Sequence, residues 1–207
     1  MSHLSIMLKL DTKRAAVIGG GSVAARHIPK LLELGIKEVN LYAPTIDSKL
    51  EQFIENPQFH WVKGSVESHA YFDEELLFFL TNNPELHLAL FEKKKPYQLV
   101  YFADDSSLSD FHFPLTVQRG SLSVSLSTGG ASPTYGKKLM KKVEGILPET
   151  IEDDLLFLEK ARKQVLNSQL DQLKRREILR SCASASFLQS SNREELLQKL
   201  INKANKK

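Results

Sequence analysis

Every glycine and every proline in this chain lies at or before Pro148. Glycine loosens a helix and proline breaks one, so residues 151–207, which hold neither, are free to run as nearly continuous helix. The stretch before them carries 10 Gly and 8 Pro and must turn repeatedly. Charge shifts at the same place. Residues 1–150 hold 16 basic and 17 acidic side chains, whereas residues 151–207 hold 12 and 8. Two compositional regimes meeting near residue 148 predict a domain boundary, and 207 residues give room for one large or two small domains.

Composition excludes several classes. Apolar residues make up 42% of the chain, with 11 Phe, 5 Tyr and one Trp, enough for a packed core and too many for a disordered chain. No stretch approaches the roughly 18–20 uncharged apolar residues that span a bilayer, so no membrane partner is expected. The opening Met1–Lys9 segment is too short for a signal peptide and lacks its basic start. A single cysteine, Cys182, excludes an internal disulfide and a multi-cysteine zinc site, and fits a reducing cytoplasm. His3, His27, His60, His69 and His87 show no paired metal spacing, so no stable metal site is expected. The basic tail holds only Phe157 and Phe187 as aromatics, and its eight acids dilute its field, which argues against nucleic acid as a partner.

The front region alternates strand and helix signals. Ala15–Ile18 is a short apolar run that ends at Gly19-Gly20-Gly21. Val23, Ala24, Ile28, Leu31 and Leu32 then share one face of a predicted helix, ended by Gly35. Val39–Tyr42 reads as a second strand, stopped by Ala43-Pro44. A weaker strand near Leu76–Leu80, a helix near Pro84–Lys93 and a strand at Gln98–Ala103 follow. This rhythm predicts a parallel sheet of Rossmann type. Ser121–Leu126 alternates with period two, as a half-buried strand should. Ser132 and Pro133 suit the cap and first position of a helix running to about Leu147. In the tail, Thr150 is the expected cap of a helix whose first turn holds Glu152, Asp153 and Asp154.

Gly19-x-Gly21-x-x-Ala24 stands where a dinucleotide phosphate loop belongs, after the first strand and at the start of the first helix. Gly19 would permit the tight turn, Gly21 the approach of a pyrophosphate, and Ala24 close helix–strand packing. A structural glycine turn is the alternative. Two features depart from the common fingerprint. No acid closes the second strand to hold the ribose hydroxyls; Ala43-Pro44 stands there, with Asp47 slightly beyond. Pro29 falls inside the predicted helix, where it removes a hydrogen bond at a cost of roughly 3 kcal/mol or kinks the helix. NAD is the default cofactor, with NADP open.

With these residues in hand, the sequence resembles the precorrin-2 dehydrogenase family of siroheme biosynthesis, a branch of porphyrin-type metabolism. Three segments carry the resemblance: Val17–Arg26 with its glycine loop, Ala103-Asp104-Asp105 followed by Phe111-His112-Phe113-Pro114, and Val124–Pro133 followed by a basic helix and Leu147-Pro148. It implies an NAD-binding Rossmann domain over residues 1–112, a dimerisation region over 113–148 and a small all-helical domain over 149–207. It also implies a homodimeric oxidoreductase that converts precorrin-2 to sirohydrochlorin with NAD⁺.

The family's important aspartate falls on Asp104, at the end of a predicted strand, where a carboxylate can take a proton directly or through water. The structural alternative is an Asx-turn at Asp104-Asp105-Ser106. Cofactor contacts are expected from Gly19, Gly21, Ser22, Val23, Ala43, Pro44 and Thr81. Substrate contacts are expected from Ser127, Thr128, Gly129 and His112. His112, between two phenylalanines, reads equally as a structural residue. The turn at Ser127–Gly130 offers hydroxyls and N–H groups to a substrate bearing eight carboxylates, or is simply a capped strand–helix turn. Lys137, Lys138, Lys141 and Lys142, with Arg119 and Lys174-Arg175-Arg176, are either a solvated surface or a rim for those carboxylates.

Tyr101-Phe102, Ser106, Thr81-Asn82-Asn83 and Thr128 depart from the family's usual residues near the inferred pocket. Two other functions share these features: a dehydrogenase that also inserts Fe²⁺ as a ferrochelatase, and a non-catalytic sensor of NAD or a tetrapyrrole.

Overall fold

The computed structural model describes residues 4–205, so His3 lies outside the described residues. The chain divides into two compact units, one ending at Phe113 and the next beginning at Pro114.

The first unit is built on a five-stranded parallel sheet in the order β3-β2-β1-β4-β5. Its strands are β1 (Arg14–Ile18), β2 (Glu38–Ala43), β3 (Phe59–Lys63), β4 (Leu76–Phe79) and β5 (Leu99–Phe102). β1 and β4 are apolar at nearly every position because both faces are covered. On one face, Ala15, Val17, Leu41 and Phe78 pack with α1 (Ser22–Glu33) and α2 (Ser48–Glu51). On the other, Ala16, Ile18, Leu77, Phe79 and Val100 pack with Leu90 of α3 (Pro84–Phe91). Sequence periodicity missed β3 and α2. β3 is an edge strand whose His60 and Lys63 break the apolar run, while Phe59 and Trp61 still reach the core.

α1 passes through Pro29 without interruption. Ala24, Ile28, Leu31 and Leu32 are buried on its core face. At roughly 1.5–3 kcal/mol for each large apolar side chain, that burial exceeds the ~3 kcal/mol the proline costs. Gly35 follows with φ +73°, the left-handed conformation that ends a helix.

The second unit opens with a two-stranded antiparallel sheet, β6 (Leu115–Arg119) and β7 (Leu122–Leu126). Leu115, Val117, Leu122 and Val124 are half-buried there. α4 (Pro133–Ile146) packs closely on this hairpin: a side chain at Gly136 would lie 3.0 Å from Leu115 Cδ1 and 3.2 Å from Thr128 Cγ2. As the sequence predicts, the Ser132 hydroxyl caps α4 by accepting from the Tyr135 N–H at 3.2 Å. Four helices follow: α5 (Ile151–Asn167), α6 (Gln172–Cys182), α7 (Ala185–Leu188) and α8 (Arg193–Asn205). Phe157, Ala161, Val165, Ile178, Cys182, Leu197 and Ile201 form their core, and burial pushes the Cys182 thiol pKa up. Thr150 occupies the cap position of α5 but makes no capping bond; its hydroxyl donates to Asp154 Oδ2 at 2.8 Å. Among the described residues, no helix is long and apolar enough to cross a membrane.

Candidate functional site

In an open parallel sheet the carboxyl ends of the strands carry the binding crevice, at the point where successive connections leave in opposite directions. Here that point lies between β1 and β4, with β2 on one side of β1 and β4 on the other. Gly19 leaves β1, with its N–H donating to the Tyr42 carbonyl at 3.0 Å. Its φ is +111°, and a Cβ there would lie 2.8 Å from the Leu80 carbonyl carbon and 2.9 Å from the Thr81 nitrogen. Gly20 is as constrained, because a Cβ on it would collide with the Thr45 carbonyl oxygen. Motif spacing alone assigns Gly20 no role of its own.

Gly21 differs from both. A Cβ at this position would meet nothing within 4 Å among the described residues. Gly21 is the N-cap of α1 and provides no side-chain cap. The first helical bond runs from Ala25 N–H to the Gly21 carbonyl at 3.0 Å, which leaves the N–H groups of Ser22, Val23 and Ala24 ahead of the ladder. An uncapped positive helix end with an open approach fits a dinucleotide pyrophosphate.

At the end of β2, Ala43 is buried and Pro44 exposed. Asp47 is already engaged as the N-cap of α2, where its side chain accepts from Lys49 N–H at 3.0 Å. Its own N–H donates to the Gly20 carbonyl at 2.7 Å, which ties this loop to the glycine turn.

The two neighbouring aspartates after β5 have different environments. Asp105 Oδ1 accepts from Ser107 N–H at 2.8 Å and from the Ser107 hydroxyl at 2.6 Å, and these bonds hold its pKa below the usual carboxylate value. The Asx-turn therefore belongs to Asp105. The Asp104 side chain is 45% exposed, and its Oδ1 lies 3.6 Å from Nδ1 of His87. His87, on α3, is buried between the rings of Phe79 and Phe102 at 5.6 and 5.9 Å. Its Nε2 is 2.8 Å from the Thr81 hydroxyl. Burial lowers the His87 pKa, and Asp104 opposes that shift. The structure thus brings Gly19, Thr81 and Asp104 to the sheet's carboxyl edge and joins the last two through a residue that motif reading passed over. The available signal was position: His87 and Leu90 lie three apart on the buried face of α3.

The departures Tyr101 and Phe102 point to opposite faces of β5. Tyr101 joins Phe78, Phe111, Phe113 and the buried His27 on one side, while Phe102 packs on Phe79 and His87 on the other. His112 is exposed.

In the second unit, the Ser127 hydroxyl accepts from Gly129 N–H at 3.1 Å and the Thr128 hydroxyl from Ser132 N–H at 3.3 Å. Gly129 and Gly130 have φ of +60° and +86°. Lys137, Lys138, Lys141 and Lys142 are exposed on α4. Lys174 and Arg175 are not a free basic rim: Lys174 Nζ donates to the Ala204 carbonyl at 3.0 Å and Arg175 to the Ser168 carbonyl at 2.7 Å, both near helix C-termini. Among the described residues no cluster of three or more His, Cys, Asp or Glu is suited to a metal ion.

Comparison with known proteins places this geometry in context. A family model described as "Putative NAD(P)-binding" matches residues 6–115. The chain is 28% identical over 144 residues to a precorrin-2 dehydrogenase of Bacillus subtilis, an alignment covering 70% of this chain and 88% of that protein. It is 29% identical over 199 residues to a siroheme synthase of Yersinia enterocolitica, covering 96% of this chain and 42% of the synthase. The chain therefore spans less than half the length of that larger relative. The solved structure of SirC, a precorrin-2 dehydrogenase, superposes with a TM-score of 0.81 at 24% identity, covering 97% of this chain and all of that one.

Proposed function

The chain belongs to the NAD_binding_7 family of NAD(P)-binding proteins, and from that membership and its relatives we propose that it is a precorrin-2 dehydrogenase, oxidising precorrin-2 to sirohydrochlorin with NAD⁺ in siroheme biosynthesis. The observation that carries the reading is the pairing, at one sheet edge, of an uncapped helix N-terminus at Gly21 with an accessible carboxylate at Asp104. Removal of two hydrogens from a carbon framework requires a hydride acceptor and a proton acceptor. NAD⁺ bound at the glycine loop supplies the first. The chain's own residues supply the rest. The N–H groups following Gly21 hold the pyrophosphate, with Gly19 and Gly20 shaping the turn and Ser22 and Val23 opening the helix. Ala43 and Pro44 would border the ribose in place of an acid, and Thr81 would add a further contact to the cofactor. Asp104 accepts the proton, while Ser127, Thr128, Gly129 and His112 bind substrate carboxylates.

The same reading assigns residues 1–112 to nucleotide binding, 113–148 to dimerisation and 149–207 to a helical domain, in a cytoplasmic homodimer. The β6–β7 hairpin supports the dimer: among the described strands, each pairs only with the other, so both outer edges are open. Sedimentation equilibrium at micromolar concentration should return twice the 23.4 kDa chain mass.

The direct test is anaerobic incubation of purified protein with precorrin-2 and either nucleotide. Formation of sirohydrochlorin with stoichiometric reduction of NAD⁺ is the expected result. Tight nucleotide binding without any reduction of NAD⁺ or NADP⁺ would instead identify a sensor.

A further inference from the structure

Among the described residues the buried ring nitrogen His87 Nδ1 has no hydrogen-bond partner, and such orphans are rare enough to need a reason. The polar atom it faces is Asp104 Oδ1, 3.6 Å away, slightly beyond hydrogen-bond reach. The groups at the two ends of the ring bear on which nitrogen carries the proton. The Thr81 hydroxyl lies 2.8 Å from His87 Nε2 and also accepts from the Asn83 N–H at 3.3 Å; with two lone pairs and one proton it can either donate to Nε2 or accept from it. The carboxylate decides between the two: a neutral imidazole with its proton on Nδ1 turns that proton towards Asp104 and leaves Nε2 to accept from Thr81. The opposite tautomer would set the Nδ1 lone pair against a carboxylate oxygen. Burial keeps the ring neutral, Asp104 is the charged group that acts on it, and the rings of Phe79 and Phe102 hold it in place.

We propose that His87 is a positioning residue for Asp104, its neutral Nδ1–H tautomer presenting a fixed donor that holds the carboxylate in the orientation of a proton acceptor. The inference rests on the dehydrogenase reading for its catalytic consequence but not for its chemistry. Asp104 selects the tautomer, Thr81 accommodates it at Nε2, and Asp104, nearly half exposed, has the freedom to close the remaining gap when substrate arrives. His87 does not touch the reacting atoms. Its role is that of the group that orients an acid or base in a relay.

The test has two arms. In ligand-free protein, long-range ¹H–¹⁵N correlation should show His87 protonated at Nδ1 with a lone pair at Nε2, and Asp104→Asn should lower its titration midpoint. A ring protonated at Nε2 overturns the proposal, whatever the protein's activity. In the precorrin-2 assay, His87→Leu should lower kcat by at least about tenfold, with KM for NAD⁺ unchanged. His87→Asn, whose amide N–H falls near the position of Nδ1, should recover most of the loss. His87→Gln, which reaches towards Thr81 instead, should not. Equal behaviour of the Asn and Gln variants would reduce His87 to a packing residue. A wild-type protein that shows the Nδ1–H tautomer but no oxidation of precorrin-2 would remove the dehydrogenase reading and leave the His87–Asp104 relationship standing.

Discussion

The α-carbon of Gly19 is pressed so closely against β4 that a Cβ there would lie 2.8 Å from the carbonyl carbon of Leu80. That contact locks the end of β1 to the start of the loop bearing Thr81, because Leu80 N–H also donates to the Ile18 carbonyl at 2.8 Å. The glycine loop and the β4–α3 loop are therefore one construction, and the three successive glycines in it have separate duties.

Substituting each glycine by alanine should separate those duties. Gly19→Ala meets backbone atoms and a φ of +111°, so a loss of more than about 2 kcal/mol of stability is expected. Gly20→Ala should be similarly harmful through Thr45. Gly21→Ala has open space around it and an extended φ of −82°, and should cost about 1 kcal/mol or less. Its effect should appear in NAD⁺ affinity, weakened at least about tenfold if the added methyl occupies pyrophosphate space. Thermal melts and calorimetric titration on the same three proteins decide this. An unaltered affinity in Gly21→Ala would place the nucleotide elsewhere.

The adjacent aspartates offer a second separation. Asp104→Asn preserves shape and removes the proton acceptor, so kcat should fall by about 10²–10⁴ with NAD⁺ binding unchanged. Asp105→Asn keeps one side-chain oxygen for the Ser107 turn and should stay within a few-fold of wild type. If the two effects were reversed, the catalytic carboxylate would be Asp105, despite its engagement by Ser107.

Much of this arrangement was legible in the sequence because its causes are local. Ala15–Ile18 followed by three glycines announces a strand and a turn. Ser132-Pro133 announces a cap that the structure reproduces in the Ser132–Tyr135 bond. What escaped reading depends on distant partners. β3 was hidden because edge strands tolerate charges such as Lys63. The roles of Gly20 and Asp47 emerge only when the β2–α2 loop folds back on the glycine turn. His87 looks like a lone histidine in a short helix until β5 brings Asp104 beside it.

The basic tail supplies a third prediction, and the structure redirects it. Arg175 donates to the Ser168 carbonyl and is half-buried, so Arg175→Glu should lose about 2 kcal/mol or more by removing that bond and burying an unpaired carboxylate near carbonyl oxygens. Arg176 is exposed, and its reversal should leave stability within about 0.5 kcal/mol. Only Arg176→Glu and reversals at Lys137–Lys142 therefore test whether surface charge gathers a polycarboxylate substrate. A raised KM with a weaker dependence on salt is the expected signature. Unchanged kinetics at both would leave those charges as a solvated surface.

His27 makes the fold sensitive to acid. Both of its ring nitrogens are buried and have no hydrogen-bond partner among the described residues, and the ring lies against those of Phe113 at 4.6 Å and Tyr101 at 5.1 Å. Burial, aided by the nearby charges of Arg26 and Lys30, pushes its pKa down to about 4. At neutral pH the folded and unfolded states both hold the ring uncharged, so stability is fully present. As pH falls through about 6.5 the unfolded chain takes up a proton that the folded chain refuses until about pH 4, and stability declines across that window. At ~1.4 kcal/mol per pH unit, the loss reaches at most about 3 kcal/mol. His27→Leu, which has no proton to gain, should flatten that part of the profile. Urea unfolding measured in steps from pH 7 to pH 4 provides the comparison. Wild type and variant losing stability in parallel would assign the acid sensitivity to other groups.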